Sequence, residues 1–372
     1  SFKKKIMSYL AKNYNRKKIS FISGKGSYLY TAIVIDMSGL MLKKIPSLNL
    51  LLLSAIILSC EEEREYEEIV ATTPPIIVEP EAFPELGHDG PYQVGSVYYG
   101  RERYIEYHPG DIPIILSAPH GGRLVPDEIP DRTYGTTVTD DNTYELTKVI
   151  MDTMKVRFQG TPHVILCRLK RTKIDANRDS VEAAQGNRYA LRAWQEYHHY
   201  INVAKNKIET NGHSGLFFDM HGHGANPDGF YDLRTWLGYL VPGDILDQGD
   251  NILNTQENAN KTSIRALIDT SRFDFIQVLR GKNSFGALLD SLSYKSVPSI
   301  NDPGPNGSRY FSGGYNTARH GSRGGGMISA IQIEAPKPGI RQNVSTWSQF
   351  AQSFTIAVDE YFYRHIERRI SN

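Results

Sequence analysis

The feature that most constrains this chain is an apolar, strand-like run that stops abruptly at a proline and a histidine. Residues 112–122 read IPIILSAPHGG, so His120 directly follows a predicted strand. Gly121 and Gly122 then let the chain turn sharply without a Cβ clash. In open α/β sheets, ligands bind at the carboxyl ends of the strands, because the loops that leave the strands there form a crevice. We therefore expect His120 to lie in a ligand-binding crevice.

A second stretch repeats this design. Residues 215–224 read GLFFDMHGHG, which again places histidine and glycine at the end of an apolar run. One such histidine alone would be interpreted as a polar loop residue, but two at neighbouring strand ends favour a shared site. Together with one carboxylate they would form a three-ligand zinc site that leaves a fourth coordination position open. The sequence therefore predicts one Zn²⁺ ion in this crevice.

From about residue 97 the chain alternates strand-like and helical patterns. This alternation indicates one α/β domain, residues 96–372, with a mostly parallel or mixed sheet flanked by helices. Apolar runs predict strands at 96–101, 103–108, 112–118, 163–169, 216–222, 273–281 and 330–336. Amphipathic patterns predict helices at 142–158, 180–209 and 348–369.

Charge and motif content disfavour several functions. The 42 Lys and Arg residues against 41 Asp and Glu residues give a net charge of +1, so no overall field attracts nucleic acid. Cys60 and Cys167 lie in contexts too different for a disulfide, and Cys167 is predicted to be a buried thiol within a strand. The chain lacks the G-x-S-x-G elbow of serine hydrolases, and no Gly-Lys-Ser/Thr motif follows its glycine-rich SRGGGM segment.

An export signal is predicted at residues 41–60, MLKKIPSLNLLLLSAIILSC. Its end resembles the lipobox of bacterial lipoproteins, in which Cys60 receives the lipid and becomes the first mature residue. A short transmembrane anchor is the alternative, although the apolar run is shorter than the roughly 20 residues that span a bilayer comfortably. We expect a protein anchored by lipid in the bacterial cell envelope, facing the periplasm or on the outer membrane.

The segments on either side of this signal are not predicted to join the folded domain. Residues 61–95 are acidic and then proline-rich, a composition that favours a flexible tether. Residues 1–40 precede a signal that should itself be N-terminal, so they are interpreted as a non-native or disordered upstream segment. A genuine N-terminal extension is the alternative.

Six motifs, taken in order, resemble the N-formylglutamate amidohydrolase family. They are APHGG, DDNTYEL, KIDANRD, FFDMHGHG, SGGYNTARHG and AIQIEAP. Each motif is weak alone, but the series extends from about residue 97 to the C-terminus. The resemblance implies a fold similar to that of the zinc carboxypeptidases, with a metal bound at strand ends beside a glutamate base.

The resemblance also implies the metal ligands, which are His120, Asp140 and His221. Asp140 is preferred to Asp141 because its spacing to the following leucine matches the family pattern. His223 competes with His221, but the Asp-x-His pattern favours His221. Asp219 is expected to orient a metal ligand without contacting the metal itself.

The remaining roles implied by the resemblance concern proton transfer and substrate binding. Glu334, at the end of the AIQIEAP strand, is expected to act as general base and then as general acid. Asn177 and Arg178 are expected to hold a substrate carboxylate, since arginine pairs bidentately with carboxylates. Arg319 follows a glycine-rich loop that is expected to close over substrate. An exposed strand-end Glu and solvated arginines are the alternatives.

Three departures from the family pattern leave the substrate open. HGHG replaces the family's common His-Ser, residues 231–263 form an insert, and the signal adds export. We therefore expect a zinc-dependent amidohydrolase that acts on an N-acyl, including N-formyl, amino acid or a short peptide at the cell envelope. The alternative is a catalytically inactive, lipid-anchored protein that binds carboxylated ligands.

Overall fold

The structure, a computed structural model, describes residues 82–370 and the backbone of two short strands before them. These strands, β1 (Ile19–Ser23) and β2 (Thr31–Ile35), pair antiparallel within a first unit, Ser1–Pro80. The predicted signal peptide with Cys60 and most of the predicted tether lie outside the described residues. Within the described part of the chain, no helix is both long and apolar enough to cross a membrane.

Within residues 82–370, eight strands form one mixed sheet in the order β3-β4-β6-β5-β7-β10-β8-β9. The strands are β3 (Tyr98–Tyr99), β4 (Ile105–His108), β5 (Ile114–Ala118), β6 (His163–Cys167), β7 (Gly215–His223), β8 (Thr235–Gly238), β9 (Ser296–Val297) and β10 (Ile328–Pro336). The four central strands, β6, β5, β7 and β10, are mutually parallel. Their carboxyl ends therefore meet at one edge of the sheet.

The helices described in the same unit lie around this sheet. They are α1 (Thr143–Phe158), α2 (Ser180–Ala184), α3 (Arg188–Thr210), α4 (Gly243–Leu246), α5 (Asp250–Leu253), α6 (Gln256–Lys261), α7 (Arg265–Thr270), α8 (Phe275–Leu279), α9 (Phe285–Ser291), α10 (Tyr315–His320) and α11 (Val344–Ile366). A mixed sheet flanked by helices confirms the predicted fold class.

Side chains alternate between the two faces of the sheet, and each face has its own hydrophobic core. On one face Phe218 packs with α1, α9 and α11. On the other face Phe217 packs with α3. Asp219 and His221 share the parity of Phe217, so they lie on the α3 face at the carboxyl end of β7.

Two predicted elements differ from the structure. The single helix predicted at 180–209 is wrong, because Gln185 adopts a left-handed conformation and Asn187 caps a new helix, which divides it into α2 and α3. The strand predicted at 273–281 is also wrong. Asp274 accepts a hydrogen bond from the Gln277 N–H and so begins helix α8.

The boundary of the folded domain also needs correction. The predicted tether extends to residue 95, but residues 82–95 pack on the domain. Phe83 contacts Tyr189 edge to face, and Tyr92 lies among several tyrosine rings of the domain. The Pro84 carbonyl accepts a hydrogen bond from Arg192 at 2.7 Å. These contacts place the start of the domain near Glu81.

His163 begins strand β6 and is only 1% exposed. Its Nδ1 accepts a hydrogen bond from the Gly110 N–H at 3.1 Å and lies 2.9 Å from the Tyr107 hydroxyl oxygen. Burial, with a smaller contribution from Lys207, lowers the pKa of His163 to about 3. The folded protein therefore holds a neutral imidazole there.

This histidine should make stability depend on pH. Unfolded histidine has a pKa of about 6.5, so between about pH 6.5 and pH 3 only the unfolded chain takes up the proton. The stabilisation is complete above that window and is lost as the pH falls. We expect His163 to account for a loss of about 2 kcal/mol between pH 7 and pH 5 in denaturant unfolding. Over the same pH range, the loss of stability in His163→Gln should be smaller than that in the wild type by about 2 kcal/mol. Equal losses would contradict a neutral, buried His163.

Candidate metal centre

A close approach between two segments brings His120 and Asp140 together. A Cβ at Gly121 would overlap the backbone nitrogen of Tyr144, so only glycine lets the loop after β5 lie against the start of α1. The backbone N–H of Asp140 then donates to the His120 carbonyl at 3.1 Å. Gly121 was expected to allow a sharp turn. Its main effect is to let the loop after β5 contact the start of α1.

His221 completes a compact triangle. Its Nδ1 lies 3.1 Å from His120 Nδ1 and 3.2 Å from Asp140 Oδ2, and His120 Nδ1 lies 3.3 Å from the same oxygen. A tetrahedral ion with bonds of about 2.0–2.1 Å holds its ligands roughly 3.3 Å apart. All three side chains are buried. The three residues can therefore hold one metal ion.

A carboxylate on the opposite side of each imidazole fixes which nitrogen faces the triangle. His120 Nε2 lies 2.6 Å from Asp175 Oδ1, and His221 Nε2 lies 2.8 Å from Asp219 Oδ2. Because an ionised carboxylate only accepts hydrogen bonds, each Nε2 carries a hydrogen, and Nδ1 is the nitrogen that can offer a lone pair to a cation once it has released its own proton. Two imidazole Nδ1 atoms and one carboxylate oxygen thus converge on one position, as a bound cation requires.

Charges around the triangle keep the carboxylates ionised. Before a cation binds, burial raises the pKa of Asp140, but the hydrogen bonds that His120 and His221 make to it through Nδ1 outweigh burial and lower it well below its usual range. Burial also raises the pKa of Asp175, while His120 and Arg171 lower it overall. Arg171 donates to Asp175 Oδ2 from Nε at 3.0 Å, and its Nη1 lies 3.6 Å from Asp140 Oδ1.

Glu334 lies directly beside His221, because the parallel register of β10 and β7 pairs these two residues. Glu334 is 4% exposed, and the Gln332 amide donates to its Oε1 at 2.8 Å. Burial raises the pKa of Glu334, and the Asp140 charge adds to this, although His221 opposes it. The group thus lies at the site with an affinity for protons well above that of an exposed glutamate.

The structure separates the three predicted substrate-binding residues. Asn177 is buried beside the metal centre, where its Oδ1 accepts from the Asn316 N–H at 2.8 Å and its Nδ2 lies 3.4 Å from His221 Nε2. Arg178 is 35% exposed and lies 3.3 Å from Glu182. Arg319 is exposed, at the end of α10, and lies over the Trp194 ring at 5.3 Å. Asn177 therefore packs beside His221, Arg178 is partly buried, and Arg319 faces solvent.

The two alternative ligands lie elsewhere. Asp141 is exposed and pairs with Lys337 at 2.9 Å. His223 stacks on Trp236 with ring centroids 3.9 Å apart, and its Nε2 lies 3.0 Å from the Arg234 carbonyl oxygen. Neither residue joins the triangle.

Sequence reasoning missed two residues at this centre, Asp175 and Arg341. Asp175 belongs to the KIDANRD motif, and its place two residues before Asn177 was an available signal. Arg341 is 2% exposed and lies beyond the last recognised motif, where nothing in the local sequence distinguishes it.

Comparison with known proteins gives distant likenesses only. No protein-family model and no curated protein matches this chain. One similar solved structure is gene product Atu2144 from Agrobacterium tumefaciens, at 11% identity and a TM-score of 0.44, covering 71% of this chain and 96% of that chain. Another is N-acetylmuramoyl-L-alanine amidase from Clostridium difficile 630, at 9% identity and a TM-score of 0.30, covering 66% and 95%.

A third is the succinylglutamate desuccinylase from Chromobacterium violaceum, at 11% identity and a TM-score of 0.33, covering 74% of this chain and 71% of that chain. Likeness at these scores says nothing about the chemistry of this chain. Its chemistry has to follow from its own side chains.

Proposed function

We propose that this protein is a zinc-dependent amidohydrolase that cleaves the amide bond of an N-acyl amino acid or a short peptide. The observation that carries this proposal is the buried triangle of His120, Asp140 and His221 with the Glu334 carboxyl group beside it. Two imidazoles and one carboxylate are a ligand set of catalytic zinc sites, which keep a further position for water or substrate. When bound, zinc supplies a Lewis acid that polarises a carbonyl and acidifies water.

The protein's own groups would move the protons and keep the ligands in place. Glu334 would take a proton from the attacking water and deliver it to the leaving amine. Its raised pKa suits both roles, because a group that accepts and then returns a proton works best when its pKa lies near the ambient pH. Asp175 and Asp219 would hold the two imidazoles in the tautomer that presents Nδ1.

Two arginines that reach solvent would recognise the substrate. Arg178 and Arg319 would meet a substrate carboxylate, and Trp194 links them because its Nε1 donates to the Arg178 carbonyl at 2.9 Å. An N-formyl group is one acyl group that such a site would accept. Attachment to a bacterial envelope through lipid on Cys60 remains a prediction from the sequence.

One observation favours a second candidate. The side chains of the centre are almost fully enclosed, with His120 1%, His221 2% and Glu334 4% exposed. Such enclosure also suits a protein that keeps the crevice for capturing carboxylated ligands without turning them over. Only the hydrolase needs Glu334 and the metal together.

The test is a screen of N-acyl amino acids and peptidoglycan-derived peptides with the full-length, zinc-loaded protein. We expect amide hydrolysis, measured as release of free amine, on at least one carboxylated substrate. Chelation should abolish it and zinc should restore it. Binding of these compounds without any hydrolysis would overturn the proposal in favour of the binding protein.

A further inference from the structure

We propose that Arg341 is a positioning residue that sets the metal affinity of this centre by tying three of its segments together. This inference rests on the proposed function. The guanidinium is 2% exposed and bonds backbone carbonyls rather than side chains: Nε donates to Ala335 at 2.8 Å, Nη2 donates to His223 at 2.8 Å, and Nη1 donates to Asp141.

Each of these carbonyls belongs to a residue one or two positions after a functional residue in the sequence. Asp141 follows Asp140, and Ala335 follows Glu334. The third carbonyl, that of His223, lies two residues after His221 on β7. The planar guanidinium group therefore connects the loop before α1 with the ends of β7 and β10. The main chain of Arg341 adds a further link, since its carbonyl accepts from Asn142 Nδ2 at 2.7 Å.

Gly222 makes room for this arrangement. A Cβ at position 222 would overlap the guanidinium carbon of Arg341. On its other side, the Gly222 N–H points at Asp140 Oδ2 at 3.3 Å. This accounts for glycine in the HGHG stretch, because the residue between the two histidines must pass between a metal ligand and an arginine. Position 222 thus provides a second way to displace the guanidinium, without altering its charge.

The charge of Arg341 and its hydrogen bonds have opposite expected effects on metal affinity. The guanidinium lies near Asp140 and Glu334, so its positive charge alone would repel a bound cation. Removing only that charge would therefore tighten metal binding. If the guanidinium group holds the ligands in place, its removal should weaken binding instead. Loss of a group that supports metal ligands typically costs about 10–100-fold in affinity.

The experiment is a zinc titration of the full chain against a chromophoric chelator. Arg341→Met and Arg341→Lys should both weaken zinc binding by about 10–100-fold, because a lysine ammonium cannot serve three diverging carbonyls. Gly222→Ala should also weaken zinc binding. The visible spectrum of the cobalt-substituted protein should change in all three variants, since it reports the arrangement of the ligands directly.

Arg280 supplies the matched control. It is 4% exposed and also donates to backbone carbonyls, those of Leu246 and Gln248 in the helical segment after β8 and that of Pro303 after β9, and it pairs with the Asp250 carboxylate. Arg280→Met should lower thermal stability and leave zinc affinity and the cobalt spectrum unchanged. If Arg341→Met does not fold, Arg341→Lys and Gly222→Ala decide the question. Zinc affinity that is unchanged or tighter in the Arg341 variants would overturn the inference, whereas a wild type that does not bind zinc would overturn the proposed function itself.

Discussion

Glu334→Gln should abolish most of the hydrolytic activity while leaving the metal bound. Glutamine keeps the shape of the side chain and still accepts the hydrogen bond from Gln332, but it cannot take a proton from water. Loss of a general base typically costs about 10²–10⁴-fold in rate. We expect kcat to fall by that factor on any substrate that the wild type hydrolyses. Zinc content, measured by mass spectrometry, should stay at the wild-type level.

A surface glutamate provides the comparison. Glu257 pairs with Lys261 one turn further along α6, and its side chain is 79% exposed. Glu257→Gln should leave kcat unchanged. Turnover by Glu334→Gln within a few-fold of the wild type would show that another group moves the proton, and the mechanism would be wrong.

Asp175→Leu should destabilise the folded protein strongly and weaken metal binding. Asp175 is fully buried, accepts from Arg171 and the Asn177 N–H, and lies 3.8 Å from Arg132. Leucine of similar size would leave the two arginines buried without this partner. Removing one member of a buried ion pair typically costs about 3–5 kcal/mol. We expect a loss of that size in denaturant unfolding of the metal-free protein.

The same substitution at the surface should have little effect. Asp269 pairs with Arg265 across one turn of α7, with its side chain 46% exposed. Asp269→Leu should change stability by less than about 0.5 kcal/mol. If Asp175→Leu is as stable as the wild type and binds zinc equally well, Asp175 neither stabilises the fold nor holds His120 in place for metal binding.

The sequence predicted the strand ends of this site because their signals are local. An apolar run that stops at Pro-His-Gly-Gly shows where His120 leaves β5, and alternation in AIQIEAP shows that Glu334 lies near the end of β10. The Asp-x-His spacing places Asp219 and His221 on one face of β7. Each of these inferences needs only a few consecutive residues.

The contacts that the sequence did not reveal depend on pairing between distant segments. Residues Glu334 and His221 are 113 positions apart, and only the β7–β10 register makes them neighbours. Arg341 binds main-chain carbonyls, which every residue type offers, so its partners leave no pattern in the sequence. Asn177 was expected to face substrate, but its Oδ1 accepts from the Asn316 N–H once α10 packs on it.

The most direct test of the account is the metal content of the purified full-length protein after zinc supplementation. The triangle of His120, Asp140 and His221 predicts one equivalent of zinc in the wild type. Asp141→Ala should keep that equivalent, because Asp141 pairs with Lys337 at the surface. The double variant His120→Ala/His221→Ala should lose it. Less than about a tenth of an equivalent in the wild type, or undiminished zinc in the double variant, would contradict the metal centre.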